Sequence, residues 1–271
     1  MDLEQTNVPL STPMKSAFES DDHPEVAGDD EILAALLATG VPVRLPTATL
    51  RERVLRAGAP QPLVFLDRFQ GIWLPSVDAP VAAKELFCDS RERLSSRLVR
   101  MKEGEFLPRP ALSGRRQVFV VHGCLASGER VLGVGDALDQ GTAPQEWHAR
   151  QETLALDLGT AGAVVADSVV CLEQNAEWVA QGEGIRLRMV SHQAEQERQL
   201  FVVDAHSNAT LIEHQHYGLE ELYVLSGSCV VEGKEMRAGD YHRATAGTTH
   251  GSTHTGDDGC VLLCSLRAVS P

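Results

Sequence analysis

Four residues with metal-binding side chains lie between positions 214 and 250 of the chain. His214 and His216 are two residues apart, so on a β-strand both imidazoles point to the same side. Glu220 follows at the start of the next predicted strand, and His250 comes later, in the glycine-bounded stretch GTTHG. Three neutral imidazoles and one carboxylate suit Zn²⁺, Fe²⁺, Mn²⁺, Ni²⁺ or Cu²⁺, whereas Ca²⁺ requires more oxygen ligands. The spacing predicts one divalent-metal site.

The residues around these four have predicted roles that follow from strand parity. His254 shares parity with His250 and is either a group that supports the ligands or an exposed histidine at a strand end. Leu222 and Val224 share parity with Glu220 and are predicted to line an apolar wall. The side chains of opposite parity face either the pocket or an interface between barrels, namely Glu221, Tyr223 and Tyr241.

From about residue 62 onward, short β-rich runs alternate with Gly, Asp and Pro turns. Runs such as QVFVVHG, IRLRMV and CVLLCSL are rich in β-branched and aliphatic residues, and no βαβ pattern appears. This pattern is typical of an all-β sandwich or barrel. The predicted fold class is therefore all-β.

An internal repeat divides this β-rich part in two. With a shift of 104 residues, LYVLSGSCVVEGKEMRAGDY aligns without a gap to VFVVHGCLASGERVLGVGDA. Gly227 falls on Gly123, and Asn208 falls on Gly104. The repeat predicts two related barrels, and it allows that the two barrels of one chain resemble a dimer of single barrels.

The first repeat has none of the metal ligands of the second. The same shift places His214, His216, Glu220 and His250 on Pro110, Leu112, Arg116 and Glu146. The predicted domains are therefore a degenerate barrel without metal ligands at 62–168 and a metal-binding barrel at 169–271.

These residues resemble the two motifs of the cupin superfamily, G(x)5HxH(x)3–4E(x)6G and G(x)5PxGxxH(x)3N. In the first motif Asn208 replaces the leading Gly, and the other positions follow in register as His214, His216, Glu220 and Gly227. In the second motif three positions match, as Gly239, Gly247 and His250, while Thr245 replaces Pro and His254 replaces Asn. The resemblance implies tandem cupin barrels, each a double-stranded β-helix or jelly roll.

Within the cupins, HQHYGLE followed by LYVLSG and GDYHRATAGTTH is most similar to the C-terminal domain of ChrR-type anti-sigma factors. In that family the cupin domain binds zinc through three histidines and one glutamate, which implies one Zn²⁺ held by His214, His216, Glu220 and His250. ChrR-type proteins also carry an N-terminal zinc domain, marked HxxxCxxC, that grips a sigma factor. This sequence has no such motif, because its first cysteine is Cys88 and His23 stands alone.

The first 61 residues differ from the rest. Residues 1–28 are polar and acidic with scattered prolines and are predicted to be a disordered tail. Residues 29–61 are predicted to form a short helical segment, with DDEILAALLATG and TATLRERVLRAG as its two helices. These helices either pack against the barrel or dock a partner, and they resemble the segment that follows the zinc domain in anti-sigma factors.

The bulk composition excludes some partners. The formal charge of −14 and the pI of about 5.1 argue against nucleic-acid binding. The sequence has no secretory signal and no apolar run long enough to cross a membrane. Six cysteines without a CxxC pair are expected to be reduced thiols of a cytoplasmic protein.

Two classes of function are compatible with this site, so the sequence leaves open whether the chain is an enzyme. The favoured class is a ChrR-like regulator or sensor, whose partners would be a sigma factor and a small-molecule ligand at the metal. The second class is an Fe²⁺-dependent dioxygenase that cleaves a diketone-like or aromatic ketone substrate. A purely structural metal barrel is a third interpretation, and a homodimer is a candidate assembly. Zn²⁺ is the favoured ion, with Fe²⁺, Mn²⁺ and Ni²⁺ as alternatives.

Overall fold

The computed structural model of the chain describes residues 63–76, 79–89, 93–112, 114–140, 145–161, 169–191, 198–216 and 218–268. The predicted tail (1–28) and helical segment (29–61) lie outside the described residues. In the described part the chain is almost entirely β-strand, which confirms the predicted fold class. The only helix there is a single 3₁₀ turn at Glu173–Asn175, and none is long and apolar enough to cross a membrane.

The first half of the described chain contributes eleven strands. They are β1 (Leu63–Leu66), β2 (Leu74–Pro75), β3 (Ala82–Asp89), β4 (Leu94–Met101), β5 (Gly114–His122), β6 (Leu125–Ser127), β7 (Arg130–Leu132), β8 (Ala137–Gln140), β9 (His148–Ala149), β10 (Thr153–Ala161) and β11 (Val169–Cys171).

The second half contributes ten strands. They are β12 (Trp178–Gly182), β13 (Ile185–Ser191), β14 (Gln199–Ala205), β15 (Thr210–Leu211), β16 (His214–Gln215), β17 (Gly218–Val231), β18 (Lys234–Arg237), β19 (Tyr241–Ala244), β20 (Thr249–His250) and β21 (Thr253–Ala268).

Two large antiparallel sheets and two small ones hold these strands. The first large sheet has the order β11-β8-β5-β10-β4-β3-β2, and β7-β6-β9 form a small sheet from the same half of the chain. The second large sheet has the order β1-β19-β17-β21-β14-β13-β12, with β15 on β21 and β18 on β17. The pair β16-β20 forms a separate two-stranded sheet. This small pair carries two of the predicted metal ligands.

The 104-residue repeat recurs in the backbone geometry. Gly123 and Gly227 both lie in the left-handed region, at φ 81° and 73°, and a Cβ at either position would clash with backbone atoms. Gly104 and Asn208 also share positive φ, at 80° and 59°. Asn tolerates this region better than most residues, which explains why the motif accepts Asn208 in place of glycine.

The two halves exchange their leading strands. Strand β1 precedes the first large sheet in the chain but pairs with β19 of the second, and β11 pairs with β8 of the first. The predicted ranges 62–168 and 169–271 therefore follow the sequence repeat, whereas each large sheet contains one strand from the other range. Strand periodicity alone does not reveal which sheet an edge strand joins.

Alternating side chains divide the core into three clusters. One lies inside the first half and includes Val118, Val120 and Leu138. The second lies inside the second half and includes Leu222 and Val224, which were predicted to line a pocket wall and lie in the buried core. It also contains the buried thiols of Cys229, Cys260 and Cys264, and all six cysteines are free. The third joins both halves and includes Phe119, Leu156, Tyr223 and Tyr241. Strand parity thus separates the barrel interior from the contact between the halves.

Glu221 faces the contact between the halves, which settles the alternative left open for residues of its parity. Its carboxylate accepts hydrogen bonds from Ser96 Oγ at 2.5 Å and from Tyr241 Oη at 2.7 Å. It also forms an ion pair with the buried guanidinium of Arg198. Glu221 therefore has partners within the protein and points away from the predicted metal ligands.

Candidate metal centre

The small sheet β16-β20 places His214 directly opposite His250. Directly paired residues on antiparallel strands have neighbouring side chains, which brings these two imidazoles together. The backbone of His216 forms two hydrogen bonds with the turn before β20. Its N–H donates to the Thr248 carbonyl, and its carbonyl accepts from the Gly247 N–H, both at 2.8 Å. The local backbone therefore fixes three histidines around one point.

Glu220 approaches the same point from β17. It lies opposite Ala244 of β19, near the start of its strand, and shares inward parity with Leu222. Its Oε1 lies 3.7 Å from His214 Nε2, and its Oε2 lies 3.5 Å from His216 Nδ1 and 3.6 Å from His250 Nδ1. The structure thus brings all four predicted ligands together, and one ligand atom from each lies within 4.8 Å of the others.

These distances fit a shared ion. Ligand atoms about 2.1 Å from a metal at tetrahedral angles lie about 3.4 Å from one another. The observed separations of 3.5–3.7 Å from the carboxylate to the three imidazoles are close to this value. Small side-chain movements would be enough to close the cluster on a divalent ion.

Two buried atoms of the cluster have no hydrogen-bond partner, namely Glu220 Oε2 and His216 Nε2. A buried carboxylate oxygen without a donor is costly, because it has lost its water and gained nothing in exchange. Oε2 faces ring nitrogens of two histidines, which would donate a lone pair to an ion. The donor set therefore fits a divalent cation held by His214, His216, Glu220 and His250. Among the described residues no other group of three or more metal-ligating side chains occurs.

The protonation of the cluster favours metal binding at three of its four members. Burial lowers the pKa of His216 and of His250, so both imidazoles are neutral at pH 7. Burial opposes ionisation of Glu220, but the three nearby histidines together hold its pKa below the usual value. The neighbouring carboxylate of Glu220, 3.7 Å from His214 Nε2, raises the pKa of His214 to about 8. His214 must therefore release a proton to bind metal.

One side of the cluster is open to solvent. The His214 side chain is 49% exposed, whereas His216, Glu220 and His250 are buried. Two residues before it in the chain, Ile212 is an exposed apolar residue. An ion would reach the cluster past His214, and a small molecule could approach the ion from the same side.

A fourth histidine, His242, completes the surroundings of the ligands, and the sequence analysis missed it. Its Nε2 lies 2.6 Å from His250 Nε2, and its Nδ1 lies 2.9 Å from the Val64 carbonyl oxygen. Burial and the neighbouring His250 lower its pKa to about 4. The repeat contains a signal that could have found it, because the same shift places the core residue Leu138 at this position.

His254 lies outside the cluster of candidate ligands. It is exposed, and its Nδ1 lies 3.0 Å from Thr210 Oγ1, opposite Thr210 in the pairing of β15 with β21. The parity argument that linked it to His250 requires one continuous strand. Gly251 and Ser252 interrupt the strand between β20 and β21, so the alternation does not carry across.

The first half has an ion pair at the place of Glu220. Arg116 lies opposite Gln140 as Glu220 lies opposite Ala244, which is the same register after a shift of 104. The guanidinium of Arg116 donates to both carboxylate oxygens of Asp157, at 2.7 and 2.8 Å, and Arg97 Nε donates to the same carboxylate at 2.8 Å. This cluster is satisfied by its own charges and offers no free ligand to a cation.

Comparisons with known proteins agree with this description. Residues 166–270 match the family model of the ChrR cupin-like domain. The fold is similar to that of a protein of Nostoc punctiforme named as a candidate dioxygenase, at 16% identity and a TM-score of 0.60 over 78% of this chain and 85% of that one. It is also similar to HEPD of Streptomyces albus, solved with 2-hydroxyethylphosphonate and Fe(II) (11% identity, TM-score 0.57, 83% of each chain).

A third similar structure is the S161A mutant of Bacillus subtilis oxalate decarboxylase OxdC, at 13% identity and a TM-score of 0.55 over 75% of this chain and 77% of that one. A search of curated proteins gives no match. At these identities the structural likenesses establish the fold alone. The chain thus has the cupin fold, as its motifs predicted, and the family match covers the half that carries the histidine–glutamate cluster.

Proposed function

We propose that this cupin-fold protein, whose residues 166–270 match the ChrR cupin-like domain, is a metal-dependent regulator of the ChrR type. One observation carries the proposal. The four candidate ligands, His214, His216, Glu220 and His250, all lie within the matched range and converge on one point. Under this proposal, metal loading sets the conformation of the second half of the chain, and a sigma factor responds to it.

The position of the ligands suggests how metal binding would change the conformation of the chain. The sheet β16-β20 has only two residue pairs, His214 with His250 and Gln215 with Thr249, and it lies outside both large sheets. A bound divalent ion would supply one positive centre shared by β16, β20 and Glu220 of β17. Two residue pairs hold this small sheet only weakly. An ion bound by ligands from three strands would therefore stabilise it further.

Zn²⁺ is the ion we propose, because it suits three imidazoles and a carboxylate and because the ChrR resemblance implies it. Fe²⁺, Mn²⁺ and Ni²⁺ use the same donor types, and availability decides among such ions. Metal analysis of the purified full-length chain tests this step. One equivalent of zinc per chain is expected, and a chain purified without any divalent metal would contradict it.

The partner is tested by co-purification of the tagged full-length chain with sigma factors from the same cells. We expect a sigma factor to be retained by the full chain and lost when residues 30–58 are deleted. His216→Ala should alter this retention, whereas the exposed His254→Ala serves as its matched control. Retention of no sigma factor, or retention that neither the deletion nor the ligand variant affects, would contradict the regulatory proposal.

A second candidate function is an Fe²⁺-dependent dioxygenase that acts on a diketone-like or aromatic ketone substrate. The observation that favours it is the half-exposed His214, which leaves a side of the cluster accessible to a small molecule. The similar structure from Nostoc punctiforme is named as a candidate dioxygenase, and the one from Streptomyces albus holds Fe(II). In such an enzyme Fe²⁺ would orient the substrate oxygens and act as an electrophile.

Oxygen uptake separates the two candidates. The chain is stripped of metal, reloaded with Fe²⁺ and offered β-diketones while dissolved O₂ is followed. The regulatory proposal expects no sustained uptake above that of His216→Ala. Sustained uptake by the unsubstituted chain that is lost in this variant would replace the regulator with the enzyme.

A further inference from the structure

His242 connects the metal ligands to a strand from the other half of the sequence repeat. It is fully buried in β19, directly opposite Phe65 of β1, and the two rings stack with their centroids 4.2 Å apart. One of its ring nitrogens contacts the ligand His250, and the other contacts the backbone of Val64. Both polar atoms of this side chain are therefore used, and each has a single partner.

The partners determine where the protons lie. A carbonyl oxygen only accepts, so His242 Nδ1 must carry the proton that binds Val64. A neutral imidazole carries one N–H only, so a ring that donates from Nδ1 to Val64 accepts at Nε2. Since the two Nε2 atoms are 2.6 Å apart, the proton between them must belong to His250.

The same hydrogen bond determines the tautomer of His250. An uncharged His250 that is protonated on Nε2 has its lone pair on Nδ1, and Nδ1 is the atom that lies 3.6 Å from Glu220 Oε2. A lone pair and a carboxylate oxygen facing each other at this distance repel, unless a cation lies between them. The hydrogen-bond chain from Val64 thus prepares His250 to bind a metal through Nδ1.

We infer that His242 is a positioning residue that holds His250 in the tautomer required for metal binding and ties this ligand to the backbone of β1. The inference rests on the proposed metal site. It adds a physical link between the site and β1, the first described strand, which pairs with β19. Outer partners of this kind commonly change metal affinity by about 10- to 100-fold.

The first half of the repeat supports this role and supplies the test variant. Leu138 occupies the equivalent position, opposite Val118 as His242 lies opposite Leu222, and it is fully buried in the half without ligands. The fold therefore accommodates a leucine at this position. An imidazole occurs only in the half of the repeat that has ligands to position.

The test measures Zn²⁺ and Co²⁺ affinity of the full-length chain by competition with a chromophoric chelator. We expect His242→Leu to lower affinity by about 10- to 100-fold. His242→Gln should retain most of the affinity, because its amide oxygen can accept the proton of His250. His254→Leu makes the same chemical change at an exposed site and should leave affinity unchanged.

Imidazole ¹⁵N spectra of the zinc-loaded chain give a second measurement that a purely structural role would not move. The unsubstituted chain should show His250 protonated on Nε2 and bound through Nδ1, and His242→Leu should lose this single tautomer. If His242→Leu unfolds, the His242→Gln affinity and the spectrum of the unsubstituted chain decide.

Unchanged affinity and tautomer in His242→Leu, or a His250 bound through Nε2, would overturn the inference alone. A chain that binds no metal at all would instead overturn the proposed function.

Discussion

The two repeats place opposite charges at the same position of the same backbone. In the first, Arg116 lies in a closed ion pair with Asp157, and in the second, Glu220 faces three histidines and keeps an oxygen without a donor. The strand pairing at both positions has the same register. The same backbone therefore carries a candidate metal site only in the half that also presents three histidines and a carboxylate whose charge the protein has not already satisfied.

The largest loss of stability is expected when Asp157, the counter-ion of Arg116, is neutralised. Asp157→Asn keeps the size of the side chain but leaves Arg116 buried without a counter-charge, which should cost about 3–5 kcal/mol in the free energy of unfolding. Urea unfolding in the presence of a chelator measures this change. Asp204→Asn in the exposed pair with Arg186 is the matched control and should cost less than about 1 kcal/mol. A similar small cost for both variants would show that the buried pair is not what holds the first half.

The second prediction removes a ligand from one half and its counterpart from the other. At a free metal concentration 100 times the Kd, Zn²⁺ should raise the free energy of unfolding by about 2.7 kcal/mol. This gain should be lost in His216→Ala and kept in Leu112→Ala, the equivalent change in the first repeat. Thermal unfolding with and without the metal measures it. Equal gains in the two variants would mean that the metal binds outside the cluster.

The third prediction concerns pH. Raising the pH should lower the stability of the metal-free chain but increase its affinity for metal. His214 has a pKa raised to about 8 by Glu220, so its protonated form stabilises the metal-free chain fully below its usual pKa of 6.5. That contribution is lost as the pH rises through about 8. Metal binding requires the neutral ring, so affinity should instead fall about tenfold per pH unit below pH 8.

Chelator competition at several pH values, beside unfolding of the metal-free chain, tests both directions. His214→Ala should remove the pH dependence of the metal-free stability, and His254→Ala should leave it in place. A metal affinity that does not change between about pH 8 and pH 6 would show that His214 is not a ligand.

The smallest effect is expected for Glu220→Gln in the metal-free chain. The carboxylate has an oxygen without a donor, and its partner His214 is half-exposed, so the neutral amide should change the free energy of unfolding by less than about 1 kcal/mol. Urea unfolding in chelator measures this beside Asp157→Asn. A loss as large as that of Asp157→Asn would indicate that Glu220 is structural without metal.

The predictions that held were those that depend on local patterns. Period-two alternation predicted the β class and placed Leu222 on the same side as Glu220. It left Tyr223 open between the pocket and the interface, and the structure places Tyr223 at the contact between the halves. Motif spacing predicted which ligands converge, because HxH on one strand and a paired strand with His250 leave little freedom. That these residues bind metal stays a prediction.

Two features depended on more than local pattern. His254 was grouped with His250 by parity, but the chain breaks its strand at Gly251 and the alternation restarts. His242 was overlooked because its importance comes from two contacts distant in sequence, the Val64 carbonyl and the stacked Phe65. Residue type and spacing do not predict such contacts.

The fold class, the repeat and the four candidate ligands could all be predicted from the sequence, since each follows from spacing along one or two strands. The exchange of β1 and β11 between the large sheets, which brings β1 against His242, became visible in the folded chain alone. The physical reason is that an edge strand can pair with any open sheet edge of suitable register. Which edge it takes is decided by the packing of the two halves against each other.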